Sequence, residues 1–452
     1  MIHQFFKNIV LVAVVLSVVA CDGKLDVSPT QSIDQNNALN TAQDVQITLI
    51  GAYDGLSDDD VYGGGYQFFS ELMGDDREVV FGGTFSSIDE IWRKALTTTN
   101  TQVTTTWLNT YAAINRANNV IGALDKVGKD DRSKVEGEAR FIRGLLYFGL
   151  VKSFGKAWGD GDNGVNPGVP LTLTPTRTVT DADYKSRSSV AQVYAQVIDD
   201  LTNAEKLLPA QTATSNISFA TSDAATAMLS RVYMMQGDYA KARDAANKVI
   251  NSKFHSLATD FTEIFDDKAA GHAGEVLFHI AITDQDGINS LNTYYASAGN
   301  QGRGDIRIQQ KHLALYDATD VRGKFFNKPT SNTFTSKHND QYGDVIVIRL
   351  AEMYLNRAEC NARLSTTVGA TPLADVNRIR ARAGLPILVT ATVDAILKER
   401  KLELAFEGNQ LDDLKRTKRP VGTIPFSDNK LVLPIPQREI DINKSIIQNP
   451  GY

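Results

Sequence analysis

Residues 222–250 read SDAATAMLSRVYMMQGDYAKARDAANKVI, and within them Leu229, Ser230, Tyr233, Gly237, Tyr239 and Ala242 fall at the offsets of a tetratricopeptide repeat. The pattern has a physical basis. Ser230 and Ala242 are small where two antiparallel helices would cross closely, Gly237-Asp238 supplies the turn, and Tyr233 and Tyr239 fill the space between the helices. A pair of this kind cannot bury its apolar face alone, so it predicts further pairs stacked against it.

Such pairs are legible on both sides. Trp107, Tyr111, Ile114, Ile121 and Leu124 recur at helical spacing, and after a polar break at residues 128–131 so do Val135, Ala139, Ile142, Leu146 and Leu150. A further helix is expected from about Val345 to Leu364, with Leu350, Met353, Tyr354 and Ala358 inward, followed by helices over 372–383 and 392–406. The expected fold is therefore mainly α, a tetratricopeptide-like helix-pair scaffold covering about 38–57, 104–154, 188–252 and 345–416. Between these lie stretches that no period explains, about 58–103, 155–187 and 253–344, rich in Gly, Asp, Asn, Thr and aromatics. They are expected to form an irregular, loop-rich subdomain containing little β. Long irregular segments inside a compact domain are usually functional.

The amino terminus addresses location. Lys7 precedes an apolar run from Ile9 to Ala20, broken only by Ser17. About a dozen apolar residues behind a basic start is a secretory signal rather than a membrane span, which needs about 20. The run ends in Val18-Val19-Ala20-Cys21, similar to a bacterial lipobox, so residues 1–20 are expected to be removed, Cys21 to be lipidated, and 21–37 to form a tether. If Cys21 is acylated, the one other cysteine, Cys360, has no partner, and its apolar helical setting makes it a buried small residue. A net charge of −6 argues against nucleic acid, which needs concentrated Lys and Arg. Hydrophobic residues make up 42% of the chain, enough for a large core.

Enzyme signatures are largely missing. The six histidines lack metal-ligand spacing, there is no HExxH or CxxC, and Gly63-Gly64-Gly65 is not followed by the Lys-Ser/Thr of a phosphate loop, so it is expected only to provide flexibility. Glu399, Glu403 and Glu407 share one helix face and bring a glycosidase carboxylate pair to mind, but interleaved Arg400 and Lys401 favour a structural acid–base network. Asp58-Asp59-Asp60 lacks the spacing of a calcium loop and is expected to be a solvated turn. No metal, cofactor or catalytic residue is therefore assigned. What remains is an aromatic inventory in the irregular segments: Tyr62, Tyr66, Phe81, Phe85 and Trp92, then Trp158, then Tyr294 and Tyr295. Aromatic faces match the CH face of a sugar ring or the side chains of a peptide, while nearby Arg, Asn and Asp bond hydroxyls. Tyr62, Tyr66, Trp92, Tyr294, Tyr295 and Arg303 are the expected ligand contacts.

An ordered series of motifs then runs along nearly the whole chain. It begins with Leu25-Asp26-Val27-Ser28-Pro29 and continues with Glu138-Ala139-Arg140-Phe141-Ile142-Arg143-Gly144, Phe154-Gly155 and Val169-Pro170-Leu171. Arg349-Leu350-Ala351-Glu352-Met353-Tyr354-Leu355, Asn377-Arg378-Ile379-Arg380 and Glu399-Arg400-Lys401-Leu402-Glu403-Leu404-Ala405-Phe406-Glu407-Gly408 follow. The series closes on Asp413-Leu414-Lys415-Arg416, Leu433-Pro434-Ile435-Pro436 and Asn449-Pro450-Gly451-Tyr452 within a tail at 417–452. It resembles the SusD/RagB family of outer-membrane nutrient-binding lipoproteins. The resemblance implies a single domain over 38–452, no enzymatic activity, and a cell-surface lipoprotein seated over a TonB-dependent (SusC-like) transporter. It also implies delivery of oligomeric nutrients, glycans in most relatives and peptides in one branch. A surface glycosidase using the Glu399 helix is the alternative from another class.

Overall fold

The computed structural model describes residues 39–212, 216–252, 254–266, 270–285 and 287–452. The expected signal peptide, Cys21 and the tether lie outside the described residues. Helices α1 (Ala42–Ser57), α2 (Gly65–Met73), α3 (Ser86–Arg93), α4 (Thr101–Gly122), α5 (Lys129–Phe154), α6 (Val190–Leu207), α7 (Ser222–Gln236) and α8 (Tyr239–Ile250) fill the first half. The second half holds α9 (Leu350–Leu364), α10 (Pro372–Arg382), α11 (Val393–Glu403) and α12 (Gln410–Arg416). Packing is serial: α1 lies on α4, α4 on α5, α5 on α6, α6 on α7, α7 on α8, α8 on α9, and α9 on α10 and α11. This is the nearest-neighbour stacking of a helical solenoid.

Local chemistry sets the helix ends. Ser189 and Gln192 form a reciprocal capping box at the start of α6, as Thr41 and Asp44 do for α1. Thr371 caps α10 with Pro372 in its first turn. Between α7 and α8, Gly237 takes a left-handed conformation (φ 72°) and Asp238 caps the next helix through the Lys241 N–H. The small residues do bring the two helices together, because the Ser230 hydroxyl donates to the Ala242 carbonyl at 2.9 Å and accepts from Asn356 of α9 at 3.1 Å. Cys360 is buried beside Met234 and Ala242, and burial pushes its thiol up to about 12, so it stays neutral.

Three differences from the sequence reading stand out. Residues 345–349, expected as helix, form strand β6 (Val345–Arg349), because the β-branched run Val345-Ile346-Val347-Ile348 suits a strand and the helix starts only at Leu350. The first irregular segment carries α2 and α3. Gly63-Gly64-Gly65 is a tight turn rather than a flexible one: a Cβ on Gly63 would sit 2.2 Å from the Ser57 carbonyl oxygen, and one on Gly65 2.2 Å from that of Asp60.

The described strands form three two-stranded antiparallel sheets: β1 (Val79–Phe81) with β3 (Ile306–Ile308), β2 (Val276–Ile280) with β6, and β4 (Phe326–Asn327) with β5 (Phe334–Thr335). The first pairing matters most for position, since its register, Val79 with Ile308 and Phe81 with Ile306, joins two irregular segments that are remote in sequence.

Candidate functional site

On β1 and β3 the residues Val79, Phe81, Ile306 and Ile308 face the core, which leaves Val80 and Arg307 facing outward. Beyond β1 the chain runs through Gly82-Gly83-Thr84 to Phe85, the N-cap of α3. Phe85 is 44% exposed, and the Arg303 guanidinium lies over its ring 4.5 Å from the centroid. Arg303 is oriented by Asp305 (Nε to Oδ2, 2.8 Å) and by Thr84 (3.1 Å), and 42% of its side chain remains exposed. Tyr294 meets Phe85 edge-on at 6.3 Å and Phe68 at 5.4 Å, anchoring the exposed ring to the core.

The two glycines have specific work here. A Cβ on Gly82 would lie 2.6 Å from the Arg307 guanidinium carbon, and one on Gly83 2.5 Å from the Asp305 carboxyl carbon. Their absence lets both charged groups lie flat against the backbone. Arg307 donates through Nη2 to the Gly82 carbonyl at 3.5 Å, while its Nε is enclosed. At the other end of β1, the Asp75 carboxylate accepts from the Glu78 and Val79 N–H groups and from Trp92 Nε1 at 3.2 Å. Asp76 pairs with Lys311 at 2.6 Å. The result is an aromatic and cationic platform in which Asp305 orients Arg303.

The expected contacts divide clearly. Arg303 belongs to the platform, whereas Tyr294, 9% exposed, is buried beneath it between Phe85 and Phe68. Trp92, half-buried and seven residues after Phe85 on α3, borders it through Asp75. Tyr62, Tyr66 and Tyr295 do not face solvent, being 5%, 6% and 0% exposed. Tyr62 donates to the Leu145 carbonyl at 3.0 Å, Tyr66 bonds Thr110 at 2.9 Å, and Tyr295 stacks between His338 and Phe406. They are core residues, because a ring that fills helix-crossing space leaves no face for a ligand. Phe81 is buried as well, and Trp158 packs edge-on against Tyr194. Phe85 stood in the aromatic inventory but not among the expected contacts, and the neighbouring Gly82-Gly83 does not single it out, since Tyr62 adjoins glycines as well.

A groove of about 460 Å³ runs along α4 past Trp107, Tyr111 and Tyr184. Several of its polar groups are engaged within the fold: Tyr111 donates to the Pro170 carbonyl (2.8 Å), Asn115 pairs with Thr176, and Asn118 bonds the Thr172 carbonyl and Arg143. The Glu399 face is consumed too, though not by the neighbours on its own helix. Glu399 pairs with Arg322 and Arg380, Glu403 with Arg322, Arg349 and Arg382, and Glu407 with Arg349 and Lys337. Burial would raise the Glu403 carboxyl, but the three arginines outweigh it and hold it well below the usual carboxylate range. Asp58–Asp60 is a turn tied at both ends, with Asp59 exposed to solvent as expected. Asp58 accepts from Asn109 at 2.8 Å, and burial pushes the Asp60 carboxyl up to about 6.

Comparison with known proteins bears on the same arrangement. A family described as starch-binding and associating with the outer membrane matches residues 25–234, and the SusD family matches residues 227–452. This chain belongs to the SusD/RagB family. A SusD-like protein of Formosa agariphila is 25% identical over 98% of this chain and 99% of its own. Among solved structures, a SusD superfamily protein of Bacteroides thetaiotaomicron is 27% identical, with a TM-score of 0.78 over 91% of this chain and 100% of the other. Surface glycan-binding protein A of the same organism, in complex with laminarihexaose, is 21% identical and superposes with a TM-score of 0.74 over 90% of this chain and 99% of that one, which speaks to the SusD fold. The SusD/RagB scaffold is thus the helix stack described above, with the irregular segments 58–103 and 253–344 joined through β1 and β3.

Proposed function

We propose that this SusD/RagB protein binds oligomeric nutrients, glycans first among them, on the β1–β3 platform and passes them to a TonB-dependent outer-membrane transporter. The observation that carries the reading is the exposed Phe85 ring with Arg303 laid across it. The CH face of a sugar ring fits the part of the Phe85 ring that Arg303 leaves exposed, with the Arg303 guanidinium beside it for the hydroxyls. The glycan-binding relative with its bound laminarihexaose and the starch-binding description of the family support the same ligand class.

A calorimetric titration with β-glucan, α-glucan and peptide oligomers tests it. Phe85→Ala is expected to weaken binding of the preferred oligomer by about 2 kcal/mol, as loss of a hot-spot aromatic does, with the melting temperature unchanged because the ring is largely outside the core. Parent-like affinity in a folded Phe85→Ala would place the site elsewhere. Peptides binding where no glycan does would assign the peptide branch. The placement at the surface rests on the apolar run 9–20 before Cys21, with residues 1–20 removed and 21–37 as the tether. Among the described residues no helix is long and apolar enough to cross a membrane. Intact-mass spectrometry of the protein from its native membrane should find acyl chains on Cys21. An unmodified thiol there would remove the anchor.

A further inference from the structure

Away from the platform, three side chains from separate parts of the chain converge. His272 comes from the short helix Ala270–Glu275, His279 from β2, and Asp344 from the residue before β6. His272 Nε2 lies 2.9 Å from His279 Nδ1, His279 Nδ1 lies 2.7 Å from Asp344 Oδ2, and the remaining side, His272 Nε2 to Asp344 Oδ2, is 3.9 Å. A triangle with these sides is almost right-angled, so the point equidistant from all three atoms lies about 2 Å from each; tetrahedral zinc at bonds of about 2.0–2.2 Å spaces its ligand atoms about 3.3 Å apart, so each side would adjust by about 0.5 Å on binding.

The hydrogen bonding prepares the same atoms. His272 Nδ1 lies 2.9 Å from the Ile264 carbonyl oxygen. A carbonyl only accepts, so in the neutral ring Nδ1 carries the proton and Nε2 turns a lone pair toward the cluster. Bonding of the second ring nitrogen to a backbone carbonyl is the usual support of a metal-binding histidine. Asp344 is oriented in a comparable way, since its Oδ1 accepts the Ile282 N–H at 3.2 Å while Oδ2 faces the imidazoles. The same carboxylate lines a cavity of about 20 Å³, room for one water.

We propose that His272, His279 and Asp344 form a binding site for a divalent transition metal ion of the zinc class. Two imidazoles and one carboxylate at this separation suit zinc, whereas calcium takes oxygen ligands at about 2.3–2.6 Å. The ion would clip the short helix Ala270–Glu275 onto the β2–β6 sheet, next to the Glu275–Arg349 ion pair. The spacing gave no warning: seven residues separate the histidines across a helix-to-strand junction, and Asp344 arrives from the partner strand.

Tag-free full-length protein, stripped with a chelator and returned to chelator-free buffer, should take up one zinc per chain in calorimetric titration with zinc chloride and show no matching uptake of calcium chloride. His279→Ala and Asp344→Asn, each checked for parent-like circular dichroism, should lose more than the about 10–100-fold in affinity that removal of a supporting hydrogen-bond partner costs. A measurement on the parent alone guards against misfolded variants: cobalt chloride should give visible absorption bands that zinc chloride abolishes at one equivalent. Absence of saturable zinc uptake by the parent, or unchanged uptake by both folded variants, would overturn the site.

Discussion

Arg349→Ala is expected to be among the most destabilising single substitutions in the chain, at about 3–5 kcal/mol, the range for breaking a buried ion pair from one side. Arg349 sits at the end of β6, fully buried. Its Nε donates to Glu407 (2.7 Å), Nη1 to Glu275 (2.9 Å) and Glu403 (2.6 Å), and Nη2 to Glu407 and the Glu403 backbone carbonyl (both 2.8 Å). Burial alone would push the Glu407 carboxyl up; Arg349 and then Lys337 reverse this and hold it below its usual range. Without the guanidinium, Glu403 keeps Arg382 and Arg322, Glu407 keeps Lys337, and one negative charge too many stays in the interior. Arg349→Lys keeps the charge but loses the fork that reaches three carboxylates, so it should fall between parent and Ala. Urea unfolding of the three proteins at pH 7, compared at constant m-value, measures the effect. A loss for Arg349→Ala under about 1 kcal/mol would mean that water reaches these carboxylates and the interior charge argument fails.

Phe141→Ala should cost a similar amount, about 3–5 kcal/mol, for a different reason. Phe141 is fully buried on α5, and its ring meets Phe278 of β2 edge-to-face at 4.9 Å and 74°. It therefore joins α5 to β2, and truncation leaves a void between two elements that cannot easily close. Such a pair contributes about 0.5–1.5 kcal/mol beyond its buried area. The double variant with Phe278→Ala should accordingly be less unstable than the sum of the single variants by about that amount. Strict additivity would show that the two rings do not act as a pair.

The helices were legible because their information is local. Val135, Ala139, Ile142, Leu146 and Leu150 repeat at the helical period, and all are buried on α5. Ser189 with Gln192 announces α6 within four residues. The candidate site was legible only in part. Aromatic residues suit both a core and a stacking surface, and nothing in the sequence separates Tyr62, which reaches the Leu145 carbonyl, from Phe85, which reaches solvent. The decision belongs to a pairing between residues 79–81 and 306–308, in strands too short to carry a period. The Glu399 face shows the same limit. Its acid–base character was readable, but its partners, Arg322, Arg349 and Arg382, come from other elements rather than from the next helical turn.

The β1–β3 pairing also orders events in time. The helix pairs of 101–154 and 222–250 bring together residues close in sequence, so each can form once its own stretch of chain is free. The platform needs β3, and its foundation needs more: the Glu71 carboxylate of α2 accepts the Gly408 N–H at 2.8 Å across 337 positions, and Glu78 pairs with His312 and Lys401. Contacts of such long range form slowly, since the intervening chain must first be ordered. A chain that emerges from its amino terminus thus builds its helical frame early and its ligand face last. One that stops short of residue 408 would carry several helix pairs but lack the foundation under β1.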